Sequence, residues 1–366
     1  MKRLICMLAA SLALAACGGG DDAKPAPKAP EATMKEAPEA APVAEKKAEP
    51  KHAAFFAPLP AEAVSDTNPI TEAKVALGRQ LYYDTRLSKN HDLSCNSCHQ
   101  LDKFGQDGEP TSPGHKGQRG GRNSPTVFNA ALHLSQFWDG RAADVEEQAK
   151  GPILNPIEMG MPGEENVLAV VNSIPQYVDA FKEAFPGEEP AVTYDNLAKA
   201  IGAFERKLLT PSPFDAYLQG DADALTAEQS KGLDTFVEVG CTACHAGMTV
   251  GGSMYQKLGL VEAWPNQNDK GRSDVTGNEA EAMFFKVPSL RNITKTAPYF
   301  HDGSVADLSE AVRMMGKHQL GKELSEEQVN DIVAFLGALE GTVDAEYVAM
   351  PELPPSTDDT PKPDPS

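Results

Sequence analysis

The chain is 366 residues long, with 53 acidic against 33 basic residues and a formal net charge of −20. So acidic a balance excludes nucleic acid as a natural partner. The length suffices for two domains with ordinary cores, and beyond the first twenty residues no stretch is long and apolar enough to span a bilayer.

From its start, Met1-Lys2-Arg3 precedes an apolar run, the pattern of a secretory signal over residues 1–16. The run closes on Leu14-Ala15-Ala16-Cys17, which resembles the bacterial lipoprotein processing box; Cys17 would then carry a lipid and anchor the chain to a membrane. Ordinary cleavage near Ala16 is the alternative. Either route takes the protein out of the cytoplasm, and the periplasm is the expected location. Residues 17–53 consist largely of Ala, Pro, Glu and Lys, cannot bury apolar surface, and are expected to form a disordered tether. Residues 346–366, rich in Pro and Asp, are expected to form a disordered tail. Between these ends, helical apolar spacing predicts helices over 71–83, 165–185, 194–209, 227–237, 304–315 and 325–339. Thr226 with Gln229, and Ser325 with Gln328, have the spacing of capping boxes.

One pattern occurs twice: Cys95-Asn96-Ser97-Cys98-His99 and Cys241-Thr242-Ala243-Cys244-His245. Two thiols at this spacing can form thioethers to the vinyl groups of one porphyrin, and the following histidine falls under the iron. A redox dithiol or half a zinc site is the alternative, although zinc wants further close Cys or His pairs and the chain has none. Of the six cysteines, four lie in the motifs and two, Cys6 and Cys17, in the first twenty residues, so none remains for a structural disulfide. The segments after each motif also repeat. Arg122-Asn123-Ser124-Pro125-Thr126 aligns with Phe285-Lys286-Val287-Pro288-Ser289, and Phe137-Trp138-Asp139-Gly140 with Phe300-His301-Asp302-Gly303, all at an offset of 163. The motifs are 146 apart, so the second half carries an insertion of 17 residues. The expectation is a mostly α fold of two c-type cytochrome domains related by internal duplication, 54–208 and 209–345, each around one covalent haem.

The sixth ligand decides what each haem does. His115 lies in a Gly-rich, polar loop after the first motif, and local sequence leaves it either a ligand or an exposed loop residue. After the second motif Met314, Met315 and His301 compete, and a methionine at helical spacing is as readily core as ligand.

With these segments in hand, the chain resembles the bacterial di-haem cytochrome c peroxidases over nearly all of residues 54–340. The resemblance rests on residues 94–99, His115, 122–126, 137–141, 156–159, 296–303 and 315–316. It implies two covalent haems and a calcium ion. Cys95, Cys98 and His99 would hold a peroxidatic haem, with His115 as a removable sixth ligand. Cys241, Cys244 and His245 would hold the electron-entry haem, with Met315 as sixth ligand. Trp138 would lie between the haems, Glu158 would act as acid–base residue, and Phe137 and Gln148 would line the peroxide pocket. The Asn123 side chain and the Thr296 and Pro298 carbonyls would hold calcium. The implied activity is reduction of hydrogen peroxide to water by electrons from a small cytochrome c or cupredoxin, in a homodimer. Two other readings stand beside it: a purely electron-transferring di-haem cytochrome, and a related enzyme that oxidises a protein-bound substrate.

Overall fold

The computed structural model describes residues 50–366. The expected signal, the lipidation site at Cys17 and nearly all of the tether lie outside them. Among the described residues no helix is long and apolar enough to cross a membrane.

The chain runs through α1 (Glu72–Tyr83), a short α2 (Cys95–Cys98), and then α3 (Val145–Leu154), α4 (Glu164–Asn172), α5 (Pro175–Ala184) and α6 (Tyr194–Glu205). It continues through α7 (Pro213–Leu218), α8 (Ala227–Val239), α9 (Ser273–Thr276), α10 (Leu308–Met314) and α11 (Glu326–Ala338). Strands β1 (Tyr255–Lys257) and β2 (Phe284–Lys286) pair antiparallel, with Tyr255 opposite Lys286. The helix expected over 165–185 is two helices. Pro175 has no N–H to continue the preceding turn and instead opens α5 at its first position. The capping boxes at Thr226 and Ser325 are both present.

Two cores form. In the first, α1 packs on α6 among Leu77, Leu81, Tyr82, Leu197, Ile201 and Phe204. In the second, α8 packs on α11 among Leu233, Phe236, Ile332, Phe335 and Leu336. Each helix pair crosses backbone to backbone at a glycine. A Cβ at Gly78 would sit 1.8 Å from the Ala200 carbonyl oxygen, and one at Gly232 would sit 2.0 Å from that of Asp331.

The same backbone course appears twice at the 163-residue offset. Asn129 and Asn292 take φ of 62° and 59°, and Phe137 and Phe300 take 65° and 70°. That left-handed conformation is unusual for a bulky residue. Isolated bridges join Gln136 to Ala142 and Tyr299 to Val305, and the side chains of Asp144 and Asp307 cap α3 and α10. Each half also buries a bidentate ion pair, Arg206 with Glu146 (2.7 and 2.8 Å) and Arg291 with Asp215 (2.7 and 2.8 Å).

The ends of the chain depart from expectation. Phe56 belongs to the second core, while Val343, Tyr347 and Val348 pack on the first. Residues 350–366, expected to be disordered, follow a fixed path over the first half. Tyr347 stacks on Phe204 with ring centroids 5.1 Å apart. Arg79 and Gln80 donate to the carbonyls of Ala349 and Glu352, Thr357 Oγ1 to that of Ser173 at 2.8 Å, and Asp364 N–H to that of Lys89 at 2.9 Å. Composition misleads here because a proline-rich segment loses little entropy on ordering, and external donors satisfy its carbonyls.

Candidate functional site

α2 carries Cys95 and Cys98 and ends on His99, with Ser94 and Ser97 bonded reciprocally across its first turn. These residues form part of the wall of a cavity of about 170 Å³, together with Phe137, Trp138, Arg141, Gln148, Glu158 and Glu205. The second motif follows α8. Gly240 ends that helix with a φ of 104°, and Cys241, Cys244 and His245 enter the wall of a larger cavity of about 240 Å³. Met315 lies in the same wall and opens a π-helical turn, Met315–Gln319; such turns recur at functional sites. Met314 is not in that wall but packs toward Trp264, Met283 and Phe285. His301 is in the wall, stacked on Phe285 at 4.4 Å, and both its ring nitrogens are buried without a hydrogen-bond partner.

The donor set fits covalent haem and disfavours the other readings of the motifs. All four cysteines among the described residues are free. Burial pushes the Cys98 thiol up to about 11 and Cys241 to about 12, and raises Cys95 and Cys244 as well. Disulfide exchange needs a thiolate, so thiols held this way are poor redox dithiols. Nor do three His, Cys, Asp or Glu side chains converge as a metal site among the described residues, as zinc would need. Burial pushes the His245 imidazole down to about 4, and its Nδ1 lies 3.3 Å from the Val250 carbonyl oxygen. A neutral ring bonded through Nδ1 leaves Nε2 free as a ligand.

Glu158 combines burial with a position in the cavity wall. Burial pushes its carboxyl up, while the Arg141 charge and a 3.0 Å hydrogen bond from Asn155 pull the other way. Arg141 lies over the Phe137 ring, 3.4 Å from its centroid. His115 is not brought into this cavity. Its ring packs against Gly160, its Nε2 lies 3.4 Å from the Ser366 carbonyl oxygen, and its backbone N–H donates to the Glu158 carbonyl at 2.7 Å. The loop bearing His115 is thus joined to the segment bearing Glu158.

The strip 123–126 with Gln136, Phe137 and Trp138 borders both cavities. Trp138 is fixed there: its indole N–H donates to the Asn123 carbonyl at 2.9 Å, and its own carbonyl accepts from Lys286 N–H at 2.7 Å. Asn123, Thr296 and Pro298 all border the larger cavity, a set of neutral oxygens whose chemistry suits calcium. Sequence reasoning missed Arg141, Glu205 and Lys286. Lys286 aligns with Asn123 across the repeat, so attention to its differences as well as its identities would have singled it out.

Fold and site together define a helix-rich protein with two cores and a Cys-x-x-Cys-His segment in the wall of each of two cavities. The family model for di-haem cytochrome c peroxidase matches residues 72–223. The chain is 49% identical over 318 residues to the cytochrome c551 peroxidase of Pseudomonas aeruginosa, covering 85% of this chain and 90% of that one. It is 47% identical over 308 residues to the protein of that name from Nitrosomonas europaea, covering 84% and 91%. Among solved structures, a MauG-like protein associated with microbial copper homeostasis superposes with a TM-score of 0.70 at 31% identity, covering 80% of this chain and 95% of that one. The chain belongs to the di-haem cytochrome c peroxidase family and is an oxidoreductase; the family implies two haems.

Proposed function

We propose that this protein reduces hydrogen peroxide to two waters outside the cytoplasm, using two protons and two electrons delivered singly by a small cytochrome c or a cupredoxin. The observation that carries this reading is the unequal pair of cavities: each has a Cys-x-x-Cys-His segment in its wall, but only one adds a buried acid at hand for proton transfer. Cys95, Cys98 and His99 hold one haem in the domain spanning 54–208. Cys241, Cys244, His245 and Met315 hold the other in the domain spanning 209–345, the two having arisen by duplication. Bound haem supplies an iron that accepts one electron at a time and, at an open coordination position, polarises the oxygen–oxygen bond.

The remaining work falls to side chains. The Glu158 carboxylate takes the proton from one peroxide oxygen and gives it to the other, which departs as water. Its burial favours the neutral acid midway through that transfer. Phe137 and Gln148 shape the pocket, and Arg141 limits how far the Glu158 proton affinity rises. His115 would be the removable sixth ligand that keeps peroxide out, and its backbone bond to the Glu158 carbonyl would couple its loop to the acid. Met315, a weak thioether ligand, makes the second site the easier to reduce, and Trp138 provides the path between the two. Asn123, Thr296 and Pro298 would hold calcium where the halves meet, and the lipid at Cys17 keeps the enzyme, as a homodimer, at a membrane.

Stopped-flow spectroscopy tests the gate. The fully oxidised His115→Gly variant should react with peroxide without the prior reduction that wild type needs. A variant that stays six-coordinate and low-spin, with two protein ligands, would assign the gate to another residue. Failure of half-reduced wild type to consume peroxide would leave only electron transfer.

A further inference from the structure

Among the described residues, Lys286 is the one charged side chain bordering the larger cavity; its other bordering residues are apolar, hydroxylic, amide, thiol or imidazole. It is buried, with 6% of its surface exposed. Its backbone is pinned by pairing with Tyr255 across the strands and by the 2.7 Å bond to the Trp138 carbonyl. The ammonium donates to the Ser135 carbonyl at 2.8 Å and lies 3.4 Å from His133 Nδ1. Neither neighbour carries negative charge, and no ion pair engages Lys286 among the described residues. The nearby carboxylate of Asp139 is already held by Arg122 and Arg141.

Burying an unpaired ammonium costs several kcal/mol, and a protein meets that cost with an anion. Consistent with this need, burial outweighs the Asp139 charge and pushes the Lys286 ammonium down to about 7. The cavity wall offers no anion, whereas a haem brings two carboxylates on its propionate arms. We infer that Lys286 is the counter-ion for a haem propionate in the larger cavity, placed there to favour the reduced state of that haem. A fixed positive charge near the iron stabilises the less positive ferrous form. Lys286 and Met315 would then raise the potential together, one through the field and the other through the bond. Its counterpart across the repeat, Asn123, carries no charge, so the device belongs to one half alone.

The inference rests on the two-haem reading, and the experiment separates the two. Covalent haem is counted first in wild type, Lys286→Met, Lys286→Gln and Lys286→Arg; a wild type without two haems fails the parent reading. With two haems present, spectroelectrochemistry reads the midpoint of the high-potential haem. Lys286→Met and Lys286→Gln should each shift its one-electron equilibrium about tenfold toward the oxidised form, about 59 mV, and Lys286→Arg should restore most of it. Unchanged midpoints in both neutral variants would overturn the assignment and leave Lys286 as a brace for the Ser135 carbonyl. A crystal structure of the haem-loaded wild type is independent of how the variants fold. Lys286 Nζ within hydrogen-bond distance of a propionate oxygen supports the inference, and an Nζ turned away from both arms overturns it.

Discussion

Among the described residues, the cavity wall around Cys95 and Cys98 carries Arg122, Arg141, Glu158 and Glu205, whereas around Cys241 and Cys244 it carries Lys286 and no other charged side chain. The two halves share helix crossings, left-handed Asn and Phe residues, capping aspartates and buried ion pairs. The repeat therefore preserves the backbone course while the side chains facing each cavity diverge. One lining carries carboxylates that can accept and return protons; the other carries a lysine among apolar and neutral polar side chains.

The largest effect should come from removing one side of the comparison. Changing Cys241 and Cys244 to Ala should abolish one covalent haem and retain the other, counted as pyridine haemochrome against protein. The next largest concerns the acid that only the first cavity holds. Glu158→Gln should slow the peroxide step by about a hundred- to ten-thousandfold, measured by stopped flow on enzyme reduced by one electron. The wild-type rate should also fall as pH drops through the Glu158 titration, because the carboxylate is the form that accepts a proton. Burial raises that titration, so the acid limb should lie above the ordinary glutamate range. A Glu158→Gln rate within a few-fold of wild type would remove the chemical distinction between the cavities.

The smallest effect concerns Glu205. Burial pushes its carboxyl up to about 8, with the Glu146 charge adding and the Arg206 charge opposing. A raised folded-state value means that its stabilising contribution is present in full below the ordinary glutamate titration and is lost as pH rises toward about 8. Wild type should therefore lose stability relative to Glu205→Gln over that interval, by up to about 1.4 kcal/mol per pH unit. Denaturant melts of both proteins from pH 5 to 9 would show it, and parallel profiles would mean that Glu205 is ionised in the folded state.

Much of this was legible in the chain because it was written locally. The two Cys-x-x-Cys-His segments, the capping boxes and the repeat register are all short-range patterns, and the helices that form the two cores carry regular apolar spacing. What escaped reading depends on contacts distant in sequence. α3 carries Gly151-Pro152 in its last turn and is not among the helices expected from spacing, yet Asp144 caps it and α6 covers it. The tail reads as disordered because its partners, Arg79, Lys89 and Ser173, lie far back along the chain. Lys286 looks like any strand lysine until the cavity beside it is seen. Met315 borders that cavity and Met314 does not, although both pack against Trp264, Met283 and Phe285, and spacing alone leaves open which of the two faces it.

Thr210 joins the two halves through a single hydroxyl. Its Oγ1 accepts from Asn129 Nδ2 at 2.9 Å and from Asn292 Nδ2 at 2.8 Å, so the same asparagine of each repeat meets at one buried oxygen. The second half also supplies Tyr347 to the first core, and the segment before α1 supplies Phe56 to the second. Neither repeat is therefore a module that can be cut out and kept. The first half expressed alone would carry the buried Asn129 amide without its Thr210 acceptor and a core missing Tyr347, the second alone would lack Phe56, and the intact body should unfold in one cooperative transition despite its two centres.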